Sequence, residues 1–135
     1  MKIEPYLFFE GRCEEALTFY RDKLGAKILA LMRYKESPDP AMLQGGNEDK
    51  VMHATFQLGD SMVMASDGCC KGQAKFTGFS LCIAVKEETE AERIFATLSD
   101  GGQIQMPMEK TFWAQRFGMV ADRFGISWMV MAIAE

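Results

Sequence analysis

The chain carries one pattern twice, about 75 residues apart, and that repeat restricts the folds open to it. An apolar, strand-like run from Ile3 to Phe9 leads into a helical pattern holding Ala16, Phe19, Tyr20 and Leu24, then Gly25-Ala26-Lys27-Ile28. Phe79 to Val85 leads in the same way into Ala91, Ile94, Phe95 and Leu98, then Gly101-Gly102-Gln103-Ile104. The period is too long for a solenoid unit, and each copy is too short for an independent domain. The sequence therefore reads as one domain, 1–135, of two repeated modules at about 1–68 and 76–135 sharing a core. Paired modules leave a cleft, which is where a ligand is expected.

Periodicity fills in each module. The first helix is expected from about Arg12 to Leu24, since Cys13, Ala16, Leu17, Tyr20 and Leu24 fall on one face of a 3.6-residue period. Gly25 is placed to end it in the left-handed conformation. The second helix is expected to start near Thr89, with Glu92 completing a capping box, and to stop at Gly101-Gly102. Lys27 to Tyr34 reads as a strand. Met52 to Leu58 alternates cleanly, and Gly59-Asp60 turns it into Ser61 to Ala65. Gln103 to Met108, Gln115 to Ala121 and Ile126 to Met131 supply three more strands, with Asp122 to Gly125 as the last turn. The expected fold is α+β: two β-α-β-β-β modules whose curved mixed sheets surround a cleft, with the helices outside. Glu36 to Asp49 and Asp67 to Lys75 read as long loops.

Charge and cysteine usage narrow the partners. The net charge is -4 and the basic residues are scattered, so no phosphate-tracking patch exists and nucleic acid is not an expected partner. No apolar run reaches the ~18 residues of a membrane span, and no signal-peptide core opens the chain. Cys13, Cys69, Cys70 and Cys82 show neither metal-ligand nor secreted-framework spacing. Reduced thiols in a cytoplasmic protein are the expectation.

Particular residues then carry a resemblance. Pro5-Tyr6-Leu7-Phe8-Phe9, Glu15-Ala16, Phe19-Tyr20, Val51-Met52-His53-Ala54, Met106-Pro107 and Phe112-Trp113 belong to it, as do Phe117-Gly118-Met119-Val120, Asp122-Arg123-Phe124-Gly125 and Trp128-Met129. With them the chain resembles the vicinal oxygen chelate superfamily, which includes glyoxalase I, bleomycin-resistance proteins and extradiol dioxygenases. The nearer resemblance is to its PhnB-like, demethylubiquinone methyltransferase-like branch. One departure is Ala114, where that branch more often has glycine. The superfamily hosts lyases, oxygenases, isomerases and passive binders, so the site has to decide the chemistry.

The resemblance implies four metal-ligand slots, which fall near Pro5, Val63, Ser80 and Met129. None offers a carboxylate or an imidazole, whereas a hard divalent ion wants oxygen or nitrogen ligands. No metal and no cofactor are expected. Strand parity assigns His53, Thr55, Gln57, Ser80, Ser127 and Met129 to the cavity, with Trp113 near its mouth and Trp128 on the helix side. His53, the only histidine, is the candidate acid or base. Asp67, Asp122 and Arg123 read as turn and ion-pair residues. Cys82 shares cavity parity with Ser80, but nothing cationic stands near it to make a nucleophile. The resulting expectation is a metal-free binder of a small apolar or aromatic molecule between the modules, as in bleomycin-resistance relatives. The alternatives are an enzyme using His53, and a metal-dependent lyase or dioxygenase with atypical ligands. A homodimer, with either pairing or exchange of elements between chains, is implied by relatives and by open sheet edges.

Overall fold

The computed structural model describes residues 1–39, 41, 46–68 and 74–133. The chain splits into two units, Met1–Ala74 and Lys75–Glu135. The first contains β1 (Tyr6–Phe8), α1 (Cys13–Leu24), β2 (Lys27–Arg33), β3 (Val51–Leu58) and β4 (Ser61–Ser66). The second contains β5 (Leu81–Val85), α2 (Glu88–Ser99), β6 (Gln103–Glu109), β7 (Arg116–Ala121) and β8 (Ser127–Ala132). Each unit is thus β-α-β-β-β. The sheets run β1-β4-β3-β2 and β5-β8-β7-β6. In each, the first pair is parallel and the others antiparallel, so both are mixed and the fold is α+β. The repeat extends to irregularities: the ladder slips between Ile28 and Ala30 and, at the matching place, between Ile104 and Met106.

Each helix buries the face its sequence marks. In α1, Cys13, Ala16, Leu17 and Tyr20 are buried over β3 and β2, and the Tyr20 ring stacks on Phe56 at 5.7 Å. Glu14 and Glu15 sit in the first turn and Arg21 and Lys23 in the last, each complementing the helix dipole. Gly25 closes α1 at φ 76°, and the Ala26 amide donates to the Tyr20 carbonyl. In α2, Ala91, Ile94, Phe95 and Leu98 are buried against the second sheet.

The capping box at Thr89 does not form. The helix starts one residue earlier, at Glu88, and Glu87 occupies the cap position with no side-chain hydrogen bond. Thr89 then lies within the first turn, and Glu92 is drawn away to Arg116 at 2.6 Å. Acidic Glu88 and Glu90 supply the favourable charge there. The strand expected to reach Tyr34 ends at Arg33, and Tyr34–Glu36 form a 3-10 turn. The run Ile3 to Phe9 yields a strand only at Tyr6–Phe8, the residues opposite Met64, Ala65 and Ser66. Cys69, Cys70 and parts of both long loops lie outside the described residues.

Two buried aspartates tie strands to turns. Asp67 accepts hydrogen bonds from the amides of Gly11, Cys13 and Val51 at 3.0, 2.8 and 2.7 Å. Asp122 accepts from the amides of Phe124 and Ile126, and from Trp128 Nε1 at 2.8 Å. Both are turn residues, as expected; Asp122 holds the β7–β8 turn and the start of β8, whereas Asp67 also joins segments distant in the chain.

Candidate functional site

Every sheet has one face under its helix and one that its helix leaves uncovered. On β3, Ala54 and Phe56 are buried toward α1, so His53, Thr55 and Gln57 project to the uncovered face. Register adds Met64 opposite Thr55, Tyr6 opposite Met64 on its other side, and Met32 opposite His53. Tyr6 and Phe8 are 38% and 51% exposed, while Leu7 between them is buried. Their rings stack at 5.0 Å.

His53 stands at the centre of this face. Its Nδ1 pairs with the Tyr6 hydroxyl at 3.0 Å, and its Nε2 with the Thr55 hydroxyl at 3.2 Å. A neutral imidazole donates from one nitrogen and accepts at the other, so the chain Tyr6–His53–Thr55 is satisfied in either direction. The pairing fixes the ring plane and leaves the Tyr6 oxygen able to meet a ligand. Burial, chiefly, raises the Tyr6 phenol above its ordinary value, with Tyr34 adding to the effect. Gln57 does not join: its amide donates to the Gly59 carbonyl at 3.1 Å, which commits it to the hairpin turn. Sequence parity missed Tyr6. Its signal was the exposed–buried–exposed alternation of Tyr6-Leu7-Phe8, hidden because Tyr6 to Phe9 are all aromatic or aliphatic.

The second sheet carries a different polar line on its uncovered face. Ser80 Oγ donates to Ser127 Oγ at 3.0 Å, and Ser127 Oγ donates to Gln105 Oε1 at 3.0 Å. Gln105 sits at the ladder slip, which is why strand counting did not find it. Met129 lies opposite Met119 and Cys82. Trp113 is half exposed, with its ring 4.8 Å from Phe112 and 5.4 Å from Phe117. Trp128 is buried on the helix side, held by Asp122.

A further hollow of about 650 Å³ lies beside α1, lined by Glu14, Glu15, Thr18, Arg33 and Lys50. Its charges answer one another: Arg33 holds Glu14 at 2.7 Å, and Arg12 holds Glu15 at 3.0 Å. The Arg33 guanidinium keeps the Glu14 carboxyl below the ordinary carboxylate range.

The family follows from comparison. The model of the 3-demethylubiquinone-9 3-methyltransferase family matches residues 1–131. The chain belongs to that family. It is 33% identical over 143 residues to protein YjdN of Escherichia coli (strain K12), spanning 100% of this chain and 97% of the relative. Protein PA1353 of Pseudomonas aeruginosa is 40% identical, with 100% and 99% coverage and a TM-score of 0.88. A Bacillus cereus PhnB protein, described as a putative 3-demethylubiquinone-9 3-methyltransferase, is 30% identical, with 98% and 99% coverage and a TM-score of 0.80. The fold alone is shared with a glyoxalase-related enzyme of Fulvimarina pelagi at 18% identity, 98% and 88% coverage and TM-score 0.63. It is shared likewise with the fosfomycin resistance protein FosX of Listeria monocytogenes at 10% identity, 98% and 92% coverage and TM-score 0.64. The expected glyoxalase-type fold and PhnB-like branch are both shown.

The residues fit neither group that these likenesses suggest. A nucleotide-like methyl donor wants a glycine-rich turn opening a helix with free amides. Between β1 and α1 the amides of Gly11 and Cys13 already bind Asp67, and Lys86 and Glu87 before α2 include no glycine. For a divalent metal, Pro5, Ser80 and Met129 offer no suitable donor. Val63 does not reach the uncovered face at all: it is buried toward α1, and its neighbour Met64 takes that side, offering only a thioether. Among the described residues no three His, Cys, Asp or Glu side chains gather where they could hold an ion.

Proposed function

We propose that this protein binds a small apolar or aromatic molecule against the uncovered face of the β1–β4 sheet, without a divalent metal. One observation carries the reading: Tyr6, Phe8 and Met32 leave aromatic and thioether surface exposed around a histidine whose two ring nitrogens are both hydrogen-bonded. Apolar walls around a few fixed polar groups are the usual make-up of small-molecule sites. Titration with 1-naphthol, followed by calorimetry, tests it. Tyr6→Ala and Phe8→Ala should each weaken binding roughly tenfold, the worth of an aromatic pair. Unchanged affinity in both variants refutes the reading.

A second reading, an enzyme with His53 as acid or base, is favoured by the oriented Tyr6–His53 pair. It requires a substrate whose turnover His53→Ala lowers even at saturating concentration. We also propose a homodimer. The β6 edge, exposed at six of its seven positions, presents unpaired backbone groups of the kind that strand pairing between copies satisfies. Light scattering at micromolar concentration checks this, and a one-chain mass rejects it.

A further inference from the structure

The uncovered face of the second sheet carries a transverse row of sulfur atoms. The order β5-β8-β7-β6 places Cys82 opposite Met129, Met129 opposite Met119, and Met119 opposite Met106, each as direct partners across adjacent strands. Cys82, Met129 and Met119, so placed, project to one face with Cβ atoms about 4.5–5.5 Å apart, while Met106 stands on β6 between two slips of the ladder. The face is the uncovered one, because the alternating residues Trp128, Val130 and Val120 are buried. Cys82 and Met106 are exposed and Met119 and Met129 half-buried, so the row is open to an incoming ion. The nearest carboxylate on these strands that shares the face is Glu109, opposite Phe117 and beyond Met119 along β7.

We propose that this row is a site for a soft monovalent metal ion, Cu(I) or Ag(I), held by the sulfurs of Cys82, Met129 and Met119, with Met106 able to join from the edge strand. Thiolate and thioether donors select soft ions, and the same set is a poor match for the hard divalent ions that the family's slots imply. Three rotatable bonds let each methionine swing its sulfur toward a shared centre, which stiffer side chains could not do. On binding, the Cys82 S–H bond breaks, a sulfur–metal bond forms and one proton leaves to solvent, with no change of oxidation state. The row lies on the second sheet, and the proposed ligand face on the first.

The test uses the full chain with Cys69→Ser and Cys70→Ser, so that this adjacent pair takes no ion. Native mass spectrometry with Ag(I) should show one ion per chain. Anaerobic competition with a Cu(I)-specific chelator should show about 100-fold weaker binding in Cys82→Ser, and roughly tenfold weaker in Met129→Leu. The leucine variant conserves volume, so folding, read by circular dichroism, should persist. Binding of 1-naphthol should be the same with and without the ion and in both variants. Absence of a stoichiometric ion, or equal affinity in the combined Cys82→Ser and Met129→Leu variant, overturns the proposal.

Discussion

Replacing Asp67 by asparagine exchanges one oxygen for an NH2 group in a buried carboxylate that three backbone amides share. Oδ1 accepts from Gly11 and Cys13, and Oδ2 accepts from Val51 at 2.7 Å. An asparagine can turn its oxygen toward Gly11 and Cys13, but its NH2 group then faces the Val51 N–H, donor against donor. Hydrogen bonds to a charged acceptor contribute about 1.5–3 kcal/mol net, and a stranded buried donor costs about 1–3 kcal/mol. The two retained bonds also weaken on losing the charge. The expected loss is about 3–5 kcal/mol, a large share of the ~5–15 kcal/mol that stabilises a typical domain. The Asp67 amide still donates to the Val51 carbonyl, so β3 and β4 should stay paired and the variant should fold. Urea denaturation followed by far-ultraviolet circular dichroism should show a lower midpoint with an unchanged slope, and melting should drop by about 10–20 °C. A loss below ~1 kcal/mol would mean that water can replace the carboxylate, and the account of Asp67 as the tie between α1 and β3 would fall.

Other perturbations have equally definite outcomes. A methyl group at Gly102 would run into the Ala121 carbonyl oxygen and lie 2.9 Å from the Leu98 carbonyl, both backbone, so Gly102→Ala should leave little soluble folded protein by gel filtration. Trp128→Phe strips the Asp122 carboxylate of a 2.8 Å donor and opens a void, and should cost about 2–4 kcal/mol in chemical denaturation. Tyr6 ionises in the folded protein above the ordinary tyrosine value of 10.0. Its stabilising contribution is therefore complete below pH 10.0 and is lost as pH rises through the folded value. The phenolate absorbance of the native protein minus that of Tyr6→Phe should titrate later than a free tyrosine, and coincidence with the free value would contradict the burial.

The helices were readable because a 3.6-residue stripe needs no partner to be recognised: Cys13, Ala16, Leu17 and Tyr20, and Ala91, Ile94, Phe95 and Leu98, are the residues found buried. Period-two alternation likewise put His53 and Thr55 on one face of β3 and Trp128 on the opposite kind of face from Met129. Long uniform apolar runs gave no such signal, so Tyr6 was overlooked, and the slot counted to near Val63 meets a residue buried toward α1 while its neighbour Met64 takes the uncovered side, since one residue along a strand exchanges faces. Helix starts were uncertain for a related reason. Whether Glu92 caps its own helix or pairs with Arg116 depends on a strand 24 residues away.

Alternation and repetition along the chain thus determine the two β-α-β-β-β modules, their helical cores and the faces of their regular strands, because those patterns depend only on near neighbours. The meeting of Tyr6 with His53, of Gln105 with Ser127, of Asp67 with three separate amides, and the alignment of Cys82 with Met129, Met119 and Met106 were decided by strand order and register. These depend on which distant segments share hydrogen bonds and where a ladder slips, and such pairings are set by the packing of the whole unit rather than by any local run of residues.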